Sequence, residues 1–144
     1  GLTVHEGFTP IVGYGATDQH SQMQLFMEGP NDKCLILIEV ENFDHDYKLA
    51  TSIKSNNLSK LSGFSLAQLM KAELAGTIKA LQENERPVIH IKIEKNDEYH
   101  LGGLILFFES VTALMGDYLM IDPFDQPGVE AGKIYAFHFL NQLK

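Results

Sequence analysis

The run Cys34-Leu35-Ile36-Leu37-Ile38-Glu39-Val40 decides the class of fold. It is nearly continuously apolar and rich in β-branched residues, as strands covered on both faces of a parallel sheet are, so a central strand is expected there. Downstream, Ile89, Ile91 and Ile93 alternate with His90, Lys92 and Glu94, the period of a half-exposed strand at or near a sheet edge. Upstream, Pro10-Ile11-Val12 offers a short third strand. It runs into Gly13-Tyr14-Gly15-Ala16-Thr17-Asp18, where glycines and then capping residues signal a tight turn into a helix. That helix should carry His20 in its first turn and stop at Gly29-Pro30.

Between the two longer strands, Ser65 and Gln68 have the spacing of a capping box, and Phe64 and Leu69 stand at the staple positions. Leu66, Leu69, Met70, Leu74, Ile78 and Leu81 then recur on one helical stripe, with Lys71, Glu73, Lys79 and Glu83 free to face water, until Arg86-Pro87 closes the helix. Two more helices are expected over residues 101–119 and 127–143, either side of the turn-forming Asp122-Pro123-Phe124-Asp125, with Pro127 suited to a first helical turn. Strand and helix alternate, so the class is α/β with a mainly parallel sheet and right-handed crossovers. Three strands are few for such a sheet, and further strands are expected from sequence upstream of Gly1.

At 144 residues and 44% hydrophobic content the chain is expected to form one domain. Its 19 acidic and 11 basic residues give a net charge of -8, which repels nucleic acid and anionic membrane surfaces. A phosphorylated ligand would therefore need a focused site, such as helix N-termini or a local cluster of cations. The apolar stretch 101–115 is shorter than the ~20 residues that cross a bilayer and reads as a buried core helix. Cys34, the lone cysteine, permits no disulfide within one chain and reads as a small buried hydrophobe rather than a nucleophile. No basic, apolar leader is visible, so a cytoplasmic setting is expected, although Gly1 without an initiator Met leaves the true start open.

Ligands of open α/β sheets bind beyond the C-terminal ends of the strands, where loops enter helix N-termini, and residues 13–20 form such a place. There, His20 could accept a proton from a sugar hydroxyl and return it. On residue type alone, a helix-start histidine bonded to backbone is the commoner situation. At a second helix entrance, Gln126 can donate to a phosphate or hydroxyl, and Lys133 could hold substrate oxygens or stabilise developing charge if its head group turns back toward the loop. A surface Lys133–Glu130 pair is the commoner reading there. Glu109 reads as a buried carboxylate satisfied by hydrogen bonds, residues 44–46 as a solvated loop, and the remaining histidines form no metal-ligand spacing. Nucleotide binding gets little support, since Gly13-x-Gly15 lacks the third glycine of a dinucleotide fingerprint and no phosphate loop of the Gly-Lys-Ser/Thr kind occurs.

Two segments nevertheless carry a specific resemblance. Gly15-Ala16-Thr17-Asp18-Gln19-His20-Ser21-Gln22, with Gln24-Leu25, resembles the histidine segment of bacterial glucose-6-phosphate isomerases. Phe124-Asp125-Gln126-Pro127-Gly128-Val129-Glu130-Ala131-Gly132-Lys133 is similar to that family's C-terminal signature: aromatic, Asp, Gln, any residue, small residue, Val, Glu, two further residues and Lys. The helix from Leu66 to Leu81 and the segment around Phe107-Phe108-Glu109 resemble family segments too, so the likeness covers nearly the whole chain.

The resemblance implies a flavodoxin-like sugar-isomerase domain, a three-layer sandwich, in an enzyme that interconverts glucose 6-phosphate and fructose 6-phosphate through an enediol without a cofactor. It implies that His20 is the ring-opening acid/base, that Lys133 assists at the ring oxygen or adjacent hydroxyls and that Gln126 contacts the substrate near its phosphate. It further implies a homodimer in which His20 serves the neighbouring subunit's site. The family's proton-moving glutamate, its enediolate-stabilising arginine and its Ser/Thr-rich phosphate loop have no match here and should precede Gly1 in the missing N-terminal part. The chain alone is therefore expected to be inactive, because base and oxyanion stabiliser must act together. The alternative is a non-catalytic sugar-phosphate-binding or sensor domain.

Overall fold

A computed structural model of the chain describes residues 7–50, 55 and 58–143. The chain divides into two compact units, one spanning Thr9–His100 and one carrying the chain from Leu101 onward. The first holds α1 (Gln19–Glu28), β1 (Leu35–Asn42), a 3-10 turn (Leu58–Leu61), α2 (Leu66–Glu83) and β2 (Val88–Lys95). Helix α3 (Glu98–Tyr118) begins at its end, and α4 (Pro127–Gln142) follows in the second unit.

The strands β1 and β2 pair in parallel, joined through α2, so the chain has the α/β class with a parallel sheet. The register sets Ile36, Ile38 and Val40 beside Ile89, Ile91 and Ile93. The opposite face carries Leu35, Leu37 and Glu39 beside Val88, His90 and Lys92. There Glu39, 15% exposed, takes the His90 Nε2 at 2.8 Å and lies 3.9 Å from the Lys92 Nζ. The half-exposed β2 is as its alternation predicts. For β1 the expectation of cover on both faces fails, because Ile36 and Ile38 are exposed. An apolar run guarantees a strand that can be buried, but cover must come from other elements. For the same reason Pro10–Val12 is not a strand: nothing among the described residues pairs with it, Pro10 has no N–H to offer, and Ile11 and Val12 are exposed.

Helix α2 starts as its sequence dictates. The Ser65 Oγ accepts the Gln68 N–H at 3.3 Å while the Gln68 Oε1 accepts the Ser65 N–H at 2.9 Å, a complete capping box. The stripe it begins leads to Leu81, the only apolar side chain that is fully buried among the described residues. The helix ends with the Arg86 N–H on the Leu81 carbonyl and the Glu85 N–H on that of Gln82, leaving Glu85 at φ 54°. Arg86 then donates from Nη2 to the Met27 carbonyl near the end of α1, and the Asn31 side chain donates to the Glu85 carbonyl at 3.3 Å. These bonds fasten α1 to the turn that enters β2.

Helix α3 begins at Glu98 rather than residue 101, since the Asp97 carboxylate accepts the His100 N–H at 2.9 Å and caps the extra turn. The full 21 residues make it long and apolar enough to cross a membrane by length and composition, so the sequence-based objection from length does not hold. Nor is it a buried core helix: Leu101, Ile105, Leu106, Phe107 and Leu114 are all exposed, as is Glu109. Cys34 is likewise an exposed thiol rather than a buried one. After α3, Met120 takes φ 55°, and the Ile121 N–H returns to the Gly116 carbonyl at 2.9 Å. The Asp122 carboxylate then accepts the Phe124 N–H at 2.9 Å, turning the chain toward Pro127, the first residue of α4.

Candidate functional site

The turn before α1 is closed by one residue. The Asp18 N–H donates to the Tyr14 carbonyl at 2.8 Å, and the Asp18 Oδ2 accepts the Tyr14 N–H at 2.7 Å. Asp18 is also the N-cap residue of α1, where its carbonyl accepts the Gln22 N–H at 3.0 Å and the Ser21 hydroxyl at 3.1 Å. Its carboxylate makes no bond to the helix. His20 therefore stands in the first turn of α1, as the sequence predicts. The imidazole is exposed and has no hydrogen-bond partner among the described residues, unlike the backbone-bonded histidine common at helix starts.

Beside this turn a cavity of about 180 Å³ opens near the C-terminal end of β1, lined by Gly15, Ala16 and Gln19 together with Ile38 to Val40, Phe43 and the α2 residues Met70, Lys71, Glu73 and Leu74. Its location is where open parallel sheets bind ligands. Its volume is well under the ~300–1,000 Å³ of pockets that enclose a small molecule, so these residues could form only part of such a pocket. The Lys71 ammonium, on the rim, donates to the Glu41 carbonyl at 2.7 Å.

In the second unit, Gln126 holds the N-cap position of α4, with its carbonyl accepting the Val129 N–H at 3.0 Å and its side chain making no cap bond. Lys133 extends back along α4 to the Glu130 Oε1 at 2.5 Å, and both side chains are more than half exposed. An exposed helical pair of this kind is worth about 0.2–0.5 kcal/mol, so a ligand could draw the ammonium away at little cost. His20 belongs to one unit, Gln126 and Lys133 to the other.

Elsewhere the charged groups serve the scaffold. In the 44–46 loop, expected to be merely solvated, the Asp46 carboxylate accepts the Ala67 N–H at 3.0 Å at the start of α2. Hydrogen bonds from Ser65 first, and then from the Ala67 backbone, hold its carboxyl below the usual value. This contact spans 21 residues and has no local sequence signal. The backbone N–H of His100, and then its ring, lower Asp97 in the same way. Among the described residues no group of three or more His, Cys, Asp or Glu side chains could hold a metal ion.

A model of the phosphoglucose isomerase family matches residues 4–144. The chain belongs to the phosphoglucose isomerase family. It is 40% identical over 143 residues to the glucose-6-phosphate isomerase of Carboxydothermus hydrogenoformans, covering 99% of this chain and 31% of that relative. To the probable glucose-6-phosphate isomerase of Methanococcus maripaludis it is 38% identical over 138 residues, or 96% of this chain and 31% of the relative. Among solved structures, a hypothetical protein from Thermus thermophilus superposes with a TM-score of 0.81 at 37% identity, over 88% of this chain and 30% of that one. The chain thus spans about a third of the length of the phosphoglucose isomerase relatives it matches, and its parallel α/β fold is one that this solved structure shares.

Proposed function

We propose that residues 1–144 are the C-terminal sugar-isomerase domain of an enzyme that interconverts glucose 6-phosphate and fructose 6-phosphate. The single observation that carries this reading is His20: exposed, unpartnered among the described residues, and set in the first turn of a helix whose entry lines a cavity near the C-terminal end of a parallel strand. A free imidazole there can give a proton to the ring oxygen of the sugar as the ring opens, while the anomeric hydroxyl releases its proton to water and becomes the carbonyl, and can take the proton back from that same oxygen when the ring closes. Lys133 steadies the charge that develops on those oxygens, and Gln126 donates to the substrate near its phosphate. Proton transfer between carbons, through the enediol, falls to residues outside this chain. The small cavity beside the turn that leads into α1 is consistent with a site that other parts of the enzyme complete. The domain acts in the cytoplasm as part of a homodimer, in which His20 serves the partner's site.

In the complete polypeptide that carries these residues, His20→Ala should lower turnover of the cyclic sugar phosphate about 100-fold or more, the usual scale for losing a general acid/base, and spare the open-chain substrate. Equal losses on both substrates would remove ring opening from its task. The 144-residue chain alone should show no isomerase turnover, and robust activity would refute its role as one contributor to a larger site.

A further inference from the structure

We infer that Asp18 is a positioning residue for His20, acting through its carboxylate bond to the Tyr14 N–H; this rests on the ring-opening role proposed above. Helix ends fray unless their free N–H groups are bound, and α1 has no side-chain cap to bind them. Asp18 compensates from the other direction. Its backbone faces the helix, through the bonds to Gln22 and Ser21, and its side chain faces the preceding turn. The pair of bonds between Asp18 and Tyr14, at 2.8 and 2.7 Å, closes residues 14–18 into one loop, which restrains rotation of the peptide entering α1.

Gly13 continues the brace. A Cβ at that position would lie 3.4 Å from the Gln22 Oε1 and 3.7 Å from the Asp18 Oδ2, so the turn folds back against the start of the helix at ordinary contact distance. His20 has no bond of its own, among the described residues, to fix its direction. Its aim therefore depends on the backbone that Asp18 anchors. An acid/base misplaced by about 1 Å loses on the order of 100-fold in rate, which is what a loosened first turn would cost.

The test uses the complete polypeptide with Asp18→Ala, Asp18→Asn and His20→Ala, assayed on cyclic and open-chain sugar phosphate, with amide exchange followed at Tyr14. Asparagine keeps a carbonyl oxygen that can accept the Tyr14 N–H; alanine does not. Asp18→Ala should lower kcat on the cyclic substrate about 10- to 100-fold with KM changed less than about threefold, spare open-chain turnover, and speed Tyr14 exchange about tenfold. Asp18→Asn should restore most of the cyclic kcat and the slow exchange. Asp18→Ala with wild-type kcat, equal loss on both substrates, or an Asp18→Asn variant as impaired as the alanine would each overturn the positioning role. If His20→Ala itself spares cyclic turnover, the ring-opening reading and this inference fall together. If His20→Ala is impaired while Asp18→Ala is not, only this inference falls.

Discussion

Replacing Gly116 by alanine inserts one methyl group into the turn between α3 and α4. Gly116 is buried, and a Cβ there would come within 2.6 Å of the Pro123 Cβ and Cγ and 2.7 Å of its Cδ. Carbon atoms pack at about 3.5–4.0 Å, so the overlap is roughly 1 Å against three atoms of one ring. That ring is fused to its own backbone and cannot swing aside, so relief must come from the turn itself, including the Ile121 N–H bond to the Gly116 carbonyl. Overpacking of this sort costs about 1–3 kcal/mol, offset by about 1 kcal/mol because alanine favours a helix over glycine. Gly102 and Gly103 supply the control: they lie in the same helix with nothing within 4 Å of an added Cβ, so alanine there should give the gain without the clash. Gly116→Ala should therefore unfold at lower urea than Gly102→Ala, by about 1–3 kcal/mol, with faster amide exchange at Ile121. Equal stability of the two variants would refute the clash.

Two further outcomes follow from α2 and its neighbours. Ser65→Ala removes the cap of α2 and the bond that Ser65 gives Asp46, and should cost about 1–2 kcal/mol by urea unfolding; a loss below about 0.3 kcal/mol would show that the capping box does not hold the helix. Asp46 and Asp97 both titrate below the ordinary carboxylate value of about 3.9, so each adds stability that is complete above that value and fades as pH falls through the lower folded one. Asp46→Asn should accordingly flatten the loss of stability below about pH 4 in acid titrations, and an unchanged acid limb would contradict that.

Much of the local structure is legible in the sequence because its causes lie within a few residues. Ser65 and Gln68 cap each other across one turn, and glycines before Asp18 announce the start of α1. The alternation over residues 88–94 gives the half-exposed β2 directly. What sequence misjudges is cover. Ile36 and Ile38, Cys34, and the apolar surface of α3 read as buried because they are apolar, whereas burial depends on what packs against them. Pro10–Val12 has strand-forming residues but no partner among the described residues, and strands exist only in pairs. In the candidate site, the position of His20 is readable from its turn. Its lack of a bonding partner among the described residues is not, because that depends on side-chain placement, and the grip of Asp18 on Tyr14 depends on how the turn closes.

The carboxylate of Asp46 has a consequence for selectivity. The open N-terminus of a helix is a ready cradle for phosphate, even in a chain of net charge -8. At α2 the cradle already holds a tenant: Asp46 occupies the Ala67 N–H and bonds Ser65. An incoming phosphate would have to evict a like-charged group that is tied into the helix cap, so α2 is closed to free anions. Inorganic phosphate in the surrounding solution therefore gains no foothold at the start of α2.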